Sequence, residues 1–275
     1  MANPAGSGHG GGVSGRVLLV HSGGFTSRQW RRLAEELGKD HEVLSPDLIG
    51  YGAEARWPNG EPFHFEKDVE RLAAVLGDEP THLIGHSYGG LLVMQLALVR
   101  PPRSIAVFEP VTFGVLDPDD AGDRAALDAI GQLAVYTPDA RGVDEAWLRS
   151  FVDWWQGTGA WNALAEDTRQ AFRDVGWKLS EEVRSLSSDR TTRATYGTIA
   201  APTLLLGGAK SQPAERRVLE HLAAALPAAE LVMFDEMGHM GPITHAAKVN
   251  AAIAAHVRAH SSAPEEHSVP AGTGD

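Results

Sequence analysis

The 275-residue sequence contains no cysteine. Disulfide bonds, a cysteine nucleophile and metal sites held by thiolates are therefore excluded. The sequence also has no run of Lys and Arg, and its formal net charge of −12 argues against a nucleic-acid partner. No apolar stretch reaches membrane-spanning length, and the glycine-rich start lacks the apolar segment of a signal peptide. We therefore expect a cytoplasmic protein with no nucleic-acid or membrane partner.

Short apolar segments alternate with amphipathic ones along most of the chain. Ser27 is predicted to cap the first helix. The alternation is typical of βαβ units, so we predict an α/β fold with a mostly parallel sheet flanked by helices. About six core strands are expected, within the usual size of a sheet. The predicted strands cover residues 16–21, 42–45, 81–86, 104–108, 202–206 and 230–234.

The alternation stops between residues 111 and 198, where the pattern is helical. We interpret this segment as a helical cap inserted over the carboxyl ends of the strands, where open α/β sheets bind ligands. The core domain then comprises residues 16–110 and 199–260. Residues 1–15 are predicted to form a flexible N-terminal tail, and residues 261–275 a disordered C-terminal tail.

The run Gly85-His86-Ser87-Tyr88-Gly89 lies between an apolar strand and an apolar helical segment. This strand–turn–helix context is the one that a nucleophile elbow requires. The two glycines allow strand and helix to approach closely while the serine occupies a strained turn. A helix that starts here also directs its positive end at the reacting atom. Ser87 is therefore the predicted nucleophile.

Two further motifs follow the first and the last predicted strand, namely His21-Ser22-Gly23-Gly24 and Gly238-His239-Met240-Gly241-Pro242. With the elbow between them, the sequence resembles a capped α/β-hydrolase with a serine nucleophile over residues 16–258. The order of nucleophile, helical insertion and histidine is that of this fold. The resemblance departs at Ser22, which stands where a glycine usually follows the histidine.

A serine hydroxyl needs an adjacent base, and the base needs an orienting group. Among twelve histidines, His239 is the predicted base because it follows the last strand at the carboxyl end of the sheet. His245 is the second choice. His21 and His86 precede the turns of their motifs, so we expect buried structural roles for them.

The acid of the triad is not at its usual place in the family. Ser211 occupies the position after the strand at 202–206 where an aspartate normally stands. Glu109 directly follows the strand at 104–108, and some α/β-hydrolases resemble this arrangement. We therefore predict Glu109 as the acid, the alternative being a structural carboxylate that binds local backbone amides.

The resemblance places the oxyanion hole at the backbone N–H groups of Gly23 and Tyr88. Five of the seven tryptophans fall in the helical segment. They either line an apolar pocket or form the core of that segment. The predicted pocket residues are Phe25, Trp154, Trp155 and Met240.

These residues predict a serine hydrolase that cleaves an ester or thioester through an acyl-enzyme. The expected partner is a small-molecule substrate with an apolar or aromatic portion. The sequence has no glycine-rich phosphate loop and no H-E-x-x-H motif, so neither a cofactor nor a metal is expected. Because a fold does not fix a function, the alternatives are a lyase, a cyclase or a C–C bond hydrolase. A non-catalytic small-molecule receptor is a further alternative, supported by the absence of the usual acid.

Overall fold

The computed structural model describes residues 14–133 and 144–261. Its centre is a six-stranded sheet of order β2-β1-β3-β4-β5-β6 in which every pairing is parallel. The predicted α/β fold is confirmed. The strands are β1 Arg16–Val20, β2 Glu42–Leu44, β3 Thr81–His86, β4 Ser104–Phe108, β5 Thr203–Gly208 and β6 Ala229–Phe234.

Helices fill the connections between the strands. The α-helices of the described ranges are α1 Arg31–Leu37, α2 Glu66–Leu76, α3 Tyr88–Val99, α4 Ala121–Leu133, α5 Glu145–Gln156, α6 Ala160–Ala163, α7 Glu166–Leu186, α8 Arg193–Tyr196, α9 Pro213–Ala225, α10 Gly241–Thr244 and α11 Ala246–Ala259. None of these helices is long and apolar enough to cross a membrane.

The central strands β1, β3, β4 and β5 are buried on both faces of the sheet, which explains why their sequences are mostly apolar. Leu18 and Val20 of β1 pack into one core together with α2, α3 and α9. Val17 and Leu19, which alternate with them, pack into a second core with α1 and α11. The sheet is therefore a rigid middle layer, and its carboxyl edge can hold side chains from several strands in fixed positions.

The first helix begins differently from the prediction. Ser27 is the first residue of a 3-10 turn, Ser27–Trp30, and Thr26 precedes it without a side-chain cap. The reason is a tertiary contact: the backbone N–H of Ser27 donates a 2.7 Å hydrogen bond to Oδ1 of Asp47. An acceptor from another loop therefore satisfies the N–H at this helix start.

Helices α4 to α8 lie between β4 and β5, and the described residues of this segment contain no strand. Trp147, Trp161 and Phe172 form an apolar cluster of their own there. These two tryptophans thus belong to the core of the segment. Residues 1–13 and 262–275 of the predicted tails lie outside the described residues, and the domain limits stay predictions.

Candidate active site

Ser87 occupies the turn between β3 and α3 with a left-handed backbone, φ 55° and ψ −119°. The two glycines of the motif are required by close packing. A Cβ on Gly85 would lie 2.4 Å from the carbonyl oxygen of Gly89, and a Cβ on Gly89 would lie 2.4 Å from that of His21. No side chain fits at either position. The turn therefore has the geometry expected of a nucleophile elbow.

The structure brings the three residues selected for the triad into one hydrogen-bond chain. The Oγ of Ser87 lies 2.9 Å from Nε2 of His239. Nδ1 of the same imidazole lies 2.7 Å from Oε2 of Glu109. Because a carboxylate only accepts, Nδ1–H is the donor, which leaves Nε2 free to accept from the serine. Both His239 and Glu109 are buried.

Glu109 is the second non-glycine residue with a left-handed backbone in the described ranges, at φ 43°. Its Oε1 accepts two hydrogen bonds, from the N–H of Gly208 at 2.7 Å and from Oγ of Ser211 at 2.6 Å. The carboxylate therefore binds local groups through one oxygen and His239 through the other. Glu109 therefore makes both kinds of contact that were weighed for it: it binds local groups and it hydrogen-bonds to the imidazole of His239.

A second chain of hydrogen bonds holds the backbone of the loop that carries His239. Nε2–H of His86 donates to the backbone carbonyl of His239 at 2.8 Å. Nδ1 of His86 accepts from the side-chain amide of Gln29 at 3.1 Å. The amide oxygen of Gln29 in turn accepts from the N–H and the Oγ of Ser22, at 3.0 and 2.9 Å. Burial holds the pKa of His86 well below its usual value, so the ring stays neutral. Sequence reasoning did not single out Gln29.

Two other histidines considered from the sequence, His21 and His245, do not take part in the hydrogen-bond chain of Ser87, His239 and Glu109. Nδ1–H of His21 donates to the carbonyl of Ser22 at 2.8 Å, and its Nε2 accepts from the N–H of Leu48 at 3.0 Å. Burial lowers the pKa of His21 to about 4. His245 is exposed, precedes α11, and pairs with the hydroxyl of Thr244 at 2.8 Å.

The two residues chosen for the oxyanion hole are neighbours in space. Gly23 and Tyr88 line the same cavity as Ser87. A Cβ on Gly23 would lie 3.7 Å from the Cβ of Tyr88. Tyr88 is the first residue of α3, so its N–H has no acceptor within the helix. The hydroxyl of Tyr51 holds the adjacent loop by accepting from the N–H of Gly24 at 3.2 Å.

A cavity of about 40 Å³ lies over Ser87, and its walls are mostly apolar. Phe25, Trp155 and Met240 line it, whereas Trp154 does not. Glu182 of α7 also lines this cavity and contributes a carboxyl group that the sequence pattern did not reveal.

Trp155 lines both this cavity and a larger one. Its indole lies against the imidazole of His239, with ring centroids 4.3 Å apart and planes inclined by 32°. The second cavity has a volume of about 510 Å³, and Phe151, Val183 and Leu186 line both cavities together with Trp155. A volume of this size lies within the range of small-molecule sites, whereas the space over Ser87 is smaller.

Comparison with known proteins establishes the family. Residues 17–252 match the model of the alpha/beta hydrolase family. The chain belongs to this family. The prediction that the protein is a hydrolase of the α/β-hydrolase fold is thereby confirmed.

Individual proteins resemble the chain over most of its length. The lipase LipV of Mycobacterium tuberculosis is 30% identical, over 86% of this chain and 91% of the relative. A 2-hydroxymuconate semialdehyde hydrolase of a Pseudomonas species is 26% identical, over 87% of this chain and 86% of that protein. The crystal structure of a hydrolase from Pseudomonas aeruginosa superimposes with a TM-score of 0.66 at 20% identity, covering 88% of this chain and 89% of that one. This structural likeness supports the fold.

Proposed function

We propose that the protein is a serine hydrolase that cleaves an ester or thioester of a small molecule with an apolar portion. The observation that carries the proposal is the hydrogen-bond chain from Ser87 through His239 to Glu109. A base within 2.9 Å of the hydroxyl, itself oriented by a carboxylate, is the arrangement that activates a serine.

The reaction follows from these contacts. His239 removes the proton of Ser87 as Oγ attacks the carbonyl carbon, and the oxyanion that forms accepts hydrogen bonds from the N–H groups of Gly23 and Tyr88. The imidazolium, stabilised by Glu109, then protonates the leaving alcohol or thiol. Water, deprotonated by His239, attacks the acyl-enzyme, and collapse of the second intermediate returns the proton to Ser87.

The apolar walls over Ser87 support a substrate with an apolar portion. The helices between β4 and β5 contribute Phe151, Trp155 and Leu179 to these walls, and we assign this segment the role of a cap. The similarity to a lipase agrees with ester hydrolysis.

A second candidate is hydrolysis of a C–C bond, supported by the similarity to the 2-hydroxymuconate semialdehyde hydrolase. Both reactions use an activated serine–histidine pair and a hole for an oxyanion. The choice between them therefore depends on which substrates are turned over.

The first experiment is intact-protein mass spectrometry after exposure to a fluorophosphonate. We expect one stoichiometric adduct in the parent protein and none in the Ser87→Ala variant. Turnover is then measured on a panel of esters and thioesters and on one substrate for C–C bond hydrolysis, a vinylogous 1,5-diketone, to assign the reaction. A folded protein that forms no adduct and turns over no ester would contradict the proposal.

A further inference from the structure

Glu182 belongs to a buried ionic cluster on the wall of the active-site cavity. The ammonium of Lys178 donates to Oε1 of Glu182 and, at 2.8 Å, to Oδ2 of Asp68. The three side chains are at most 2% exposed. One cation faces two carboxyl groups in this cluster, so its net charge is −1 when all three are ionised.

The cluster also contacts residues next to the proposed oxyanion hole. The hydroxyl of Tyr51 donates to Oε2 of Glu182 at 2.8 Å and accepts from the N–H of Gly24. The hydroxyl of Tyr88 donates to Oδ2 of Asp68 at 2.9 Å. The carboxyl group of Glu182 is therefore held in a fixed position beside the Gly23–Gly24 loop.

Fold stability alone does not account for such a cluster. Desolvation costs several kcal/mol per buried ion, and replacement of buried ion pairs by apolar residues is often neutral or stabilising. Another part of the same helical segment packs through apolar side chains such as Trp147, Trp161 and Phe172. A role at the cavity explains why charges are placed on this wall.

Oε2 of Glu182 lies beside the proposed oxyanion hole. It is 3.0 Å from where a Cβ on Gly23 would be, so the carboxyl group is packed closely against this loop. In the proposed mechanism the carbonyl oxygen of the ester lies toward Gly23, and the leaving group lies toward His239, which protonates it. Oε2 accepts one hydrogen bond from Tyr51, and a carboxylate oxygen can accept a second.

We propose that Glu182 is a specificity-determining residue that accepts a hydrogen bond from a hydroxyl or amino group beside the scissile carbonyl. This inference rests on the proposed ester hydrolysis and names its substrate class: esters of hydroxy or amino acids, in preference to esters of plain fatty acids. Among the residues that line the cavity, all of them in the described ranges, Glu182 carries the only carboxyl group.

The protonation state of Glu182 sets the conditions of the test. Burial raises the pKa of Glu182 to about 7; Lys178 acts against this shift and Asp68 in the same direction. The group is therefore predominantly an acceptor at pH 8, where the measurements are made.

The test compares benzyl propanoate, benzyl 2-hydroxypropanoate and benzyl 2-aminopropanoate. We expect the parent protein to favour one or both donor-bearing esters at least tenfold in kcat/KM, because a site built to hydrogen-bond a group rejects the analogue that lacks it. A preference for the amino ester alone would identify a cation as the ligand. Near-equal values for all three esters would overturn the inference.

Variants of the carboxyl group separate its role from its packing. Glu182→Gln keeps the size of the side chain and an oxygen for Lys178, but replaces an acceptor by an amide donor. We expect the preference to fall to about one. Glu182→Asp, which withdraws the carboxylate from the cavity, is the second variant and should weaken the preference as well. Retention of the preference in a folded variant would overturn the inference.

The matched control is Glu181→Gln. Glu181 is a neighbouring buried carboxyl of α7, and it accepts from the N–H of Phe63 at 3.1 Å and from Arg184. It does not line the cavity. We expect this variant to keep the ratio of the parent protein.

A binding measurement makes the test independent of turnover. In the Ser87→Ala variant, calorimetry compares the 2-hydroxy ester with the plain ester, with and without Glu182→Gln. Tighter binding of the hydroxy ester that depends on Glu182, without ester turnover in the parent protein, would support the inference while the hydrolase proposal fails. Ester turnover in the parent protein without such a preference would support the hydrolase proposal and overturn the inference about Glu182.

Discussion

The hydroxyl of Ser211 donates a 2.6 Å hydrogen bond to Oε1 of Glu109, whose other oxygen accepts from His239. Ser211 follows β5 at the position where related enzymes usually carry the acid. Glu109, the proposed acid, lies instead at the end of β4, and Ser211 donates a hydrogen bond to it. In the proposed triad, Ser211 and Glu109 together therefore take the place of one aspartate.

Removal of this hydroxyl tests whether Ser211 positions the acid. In Ser211→Ala, Oε1 of Glu109 keeps the N–H of Gly208 and loses one bond. A hydrogen bond to a charged group is worth about 1.5 to 3 kcal/mol, so we expect kcat to fall roughly tenfold or more with little change in KM. Steady-state kinetics on one ester provide the measurement, with a Ser→Ala change at the exposed Ser150 of α5 as the control. An unchanged kcat would mean that Ser211 only fills space.

Replacement of Glu109, the proposed acid, has a larger expected effect. Glu109→Gln keeps the shape of the side chain but cannot stabilise the imidazolium of His239. By analogy with other triads, we expect kcat to fall about 10³- to 10⁴-fold. Stopped assays at high enzyme concentration measure the residual rate, and thermal melting checks the fold. A loss below tenfold would show that another group orients His239.

Trp155 is expected to limit the length of the acyl or alcohol chain. Its side chain lines both the small space over Ser87 and the cavity of about 510 Å³. Trp155→Ala should join the two cavities and shift the preference toward longer chains, at some cost in kcat because the contact with His239 is lost. A series of p-nitrophenyl esters from C2 to C12 measures the shift. Trp154→Ala, at the neighbouring position that does not line the cavity, should keep the parent profile.

Glu215 makes stability depend on pH. The residue is 1% exposed, and no other described residue hydrogen-bonds to its carboxyl group. Burial raises the pKa of Glu215 to about 8, and nearby Glu109 acts in the same direction. A pKa raised in the folded state contributes stability that is fully present below the unfolded pKa and is lost as pH rises to about 8.

The Glu215→Gln variant removes this dependence. Between pH 6 and 9, the free energy of unfolding of the parent protein should fall by roughly 2 to 3 kcal/mol more than that of the variant. Urea titrations at both pH values measure the difference. Parallel pH profiles of the two proteins would show that Glu215 is ionised in the folded state at neutral pH.

The sequence alone was sufficient to locate those site residues that directly follow a strand. Strands β3 and β4 have the predicted bounds, because each is an apolar run bordered by turn-forming residues. Ser87 and Glu109 could be located from the ends of these two strands. Parallel strands bring their carboxyl ends to one edge, so the two side chains were expected near each other.

The remaining contacts depend on how distant segments pack. Gln29 meets His86 across 57 positions, and Tyr51 meets Glu182 across 131 positions. Trp154 and Trp155 are adjacent on one helix and point about 100° apart, so the rotation of α5 decides which one lines the cavity. That rotation is fixed by tertiary packing and could not be derived from composition or periodicity.

The left-handed backbones of Ser87 and Glu109, at φ 55° and 43°, carry a consequence for protein engineering. Such conformations cost on the order of 1 to 3 kcal/mol each for residues with a side chain, and glycine adopts them readily. Glycine at either position would remove the backbone strain, but it would also remove the side chain on which the proposed reaction depends. A directed-evolution screen that scores only heat resistance would therefore enrich inactive variants at these two positions, and selection for thermostability in this protein must include turnover in every round.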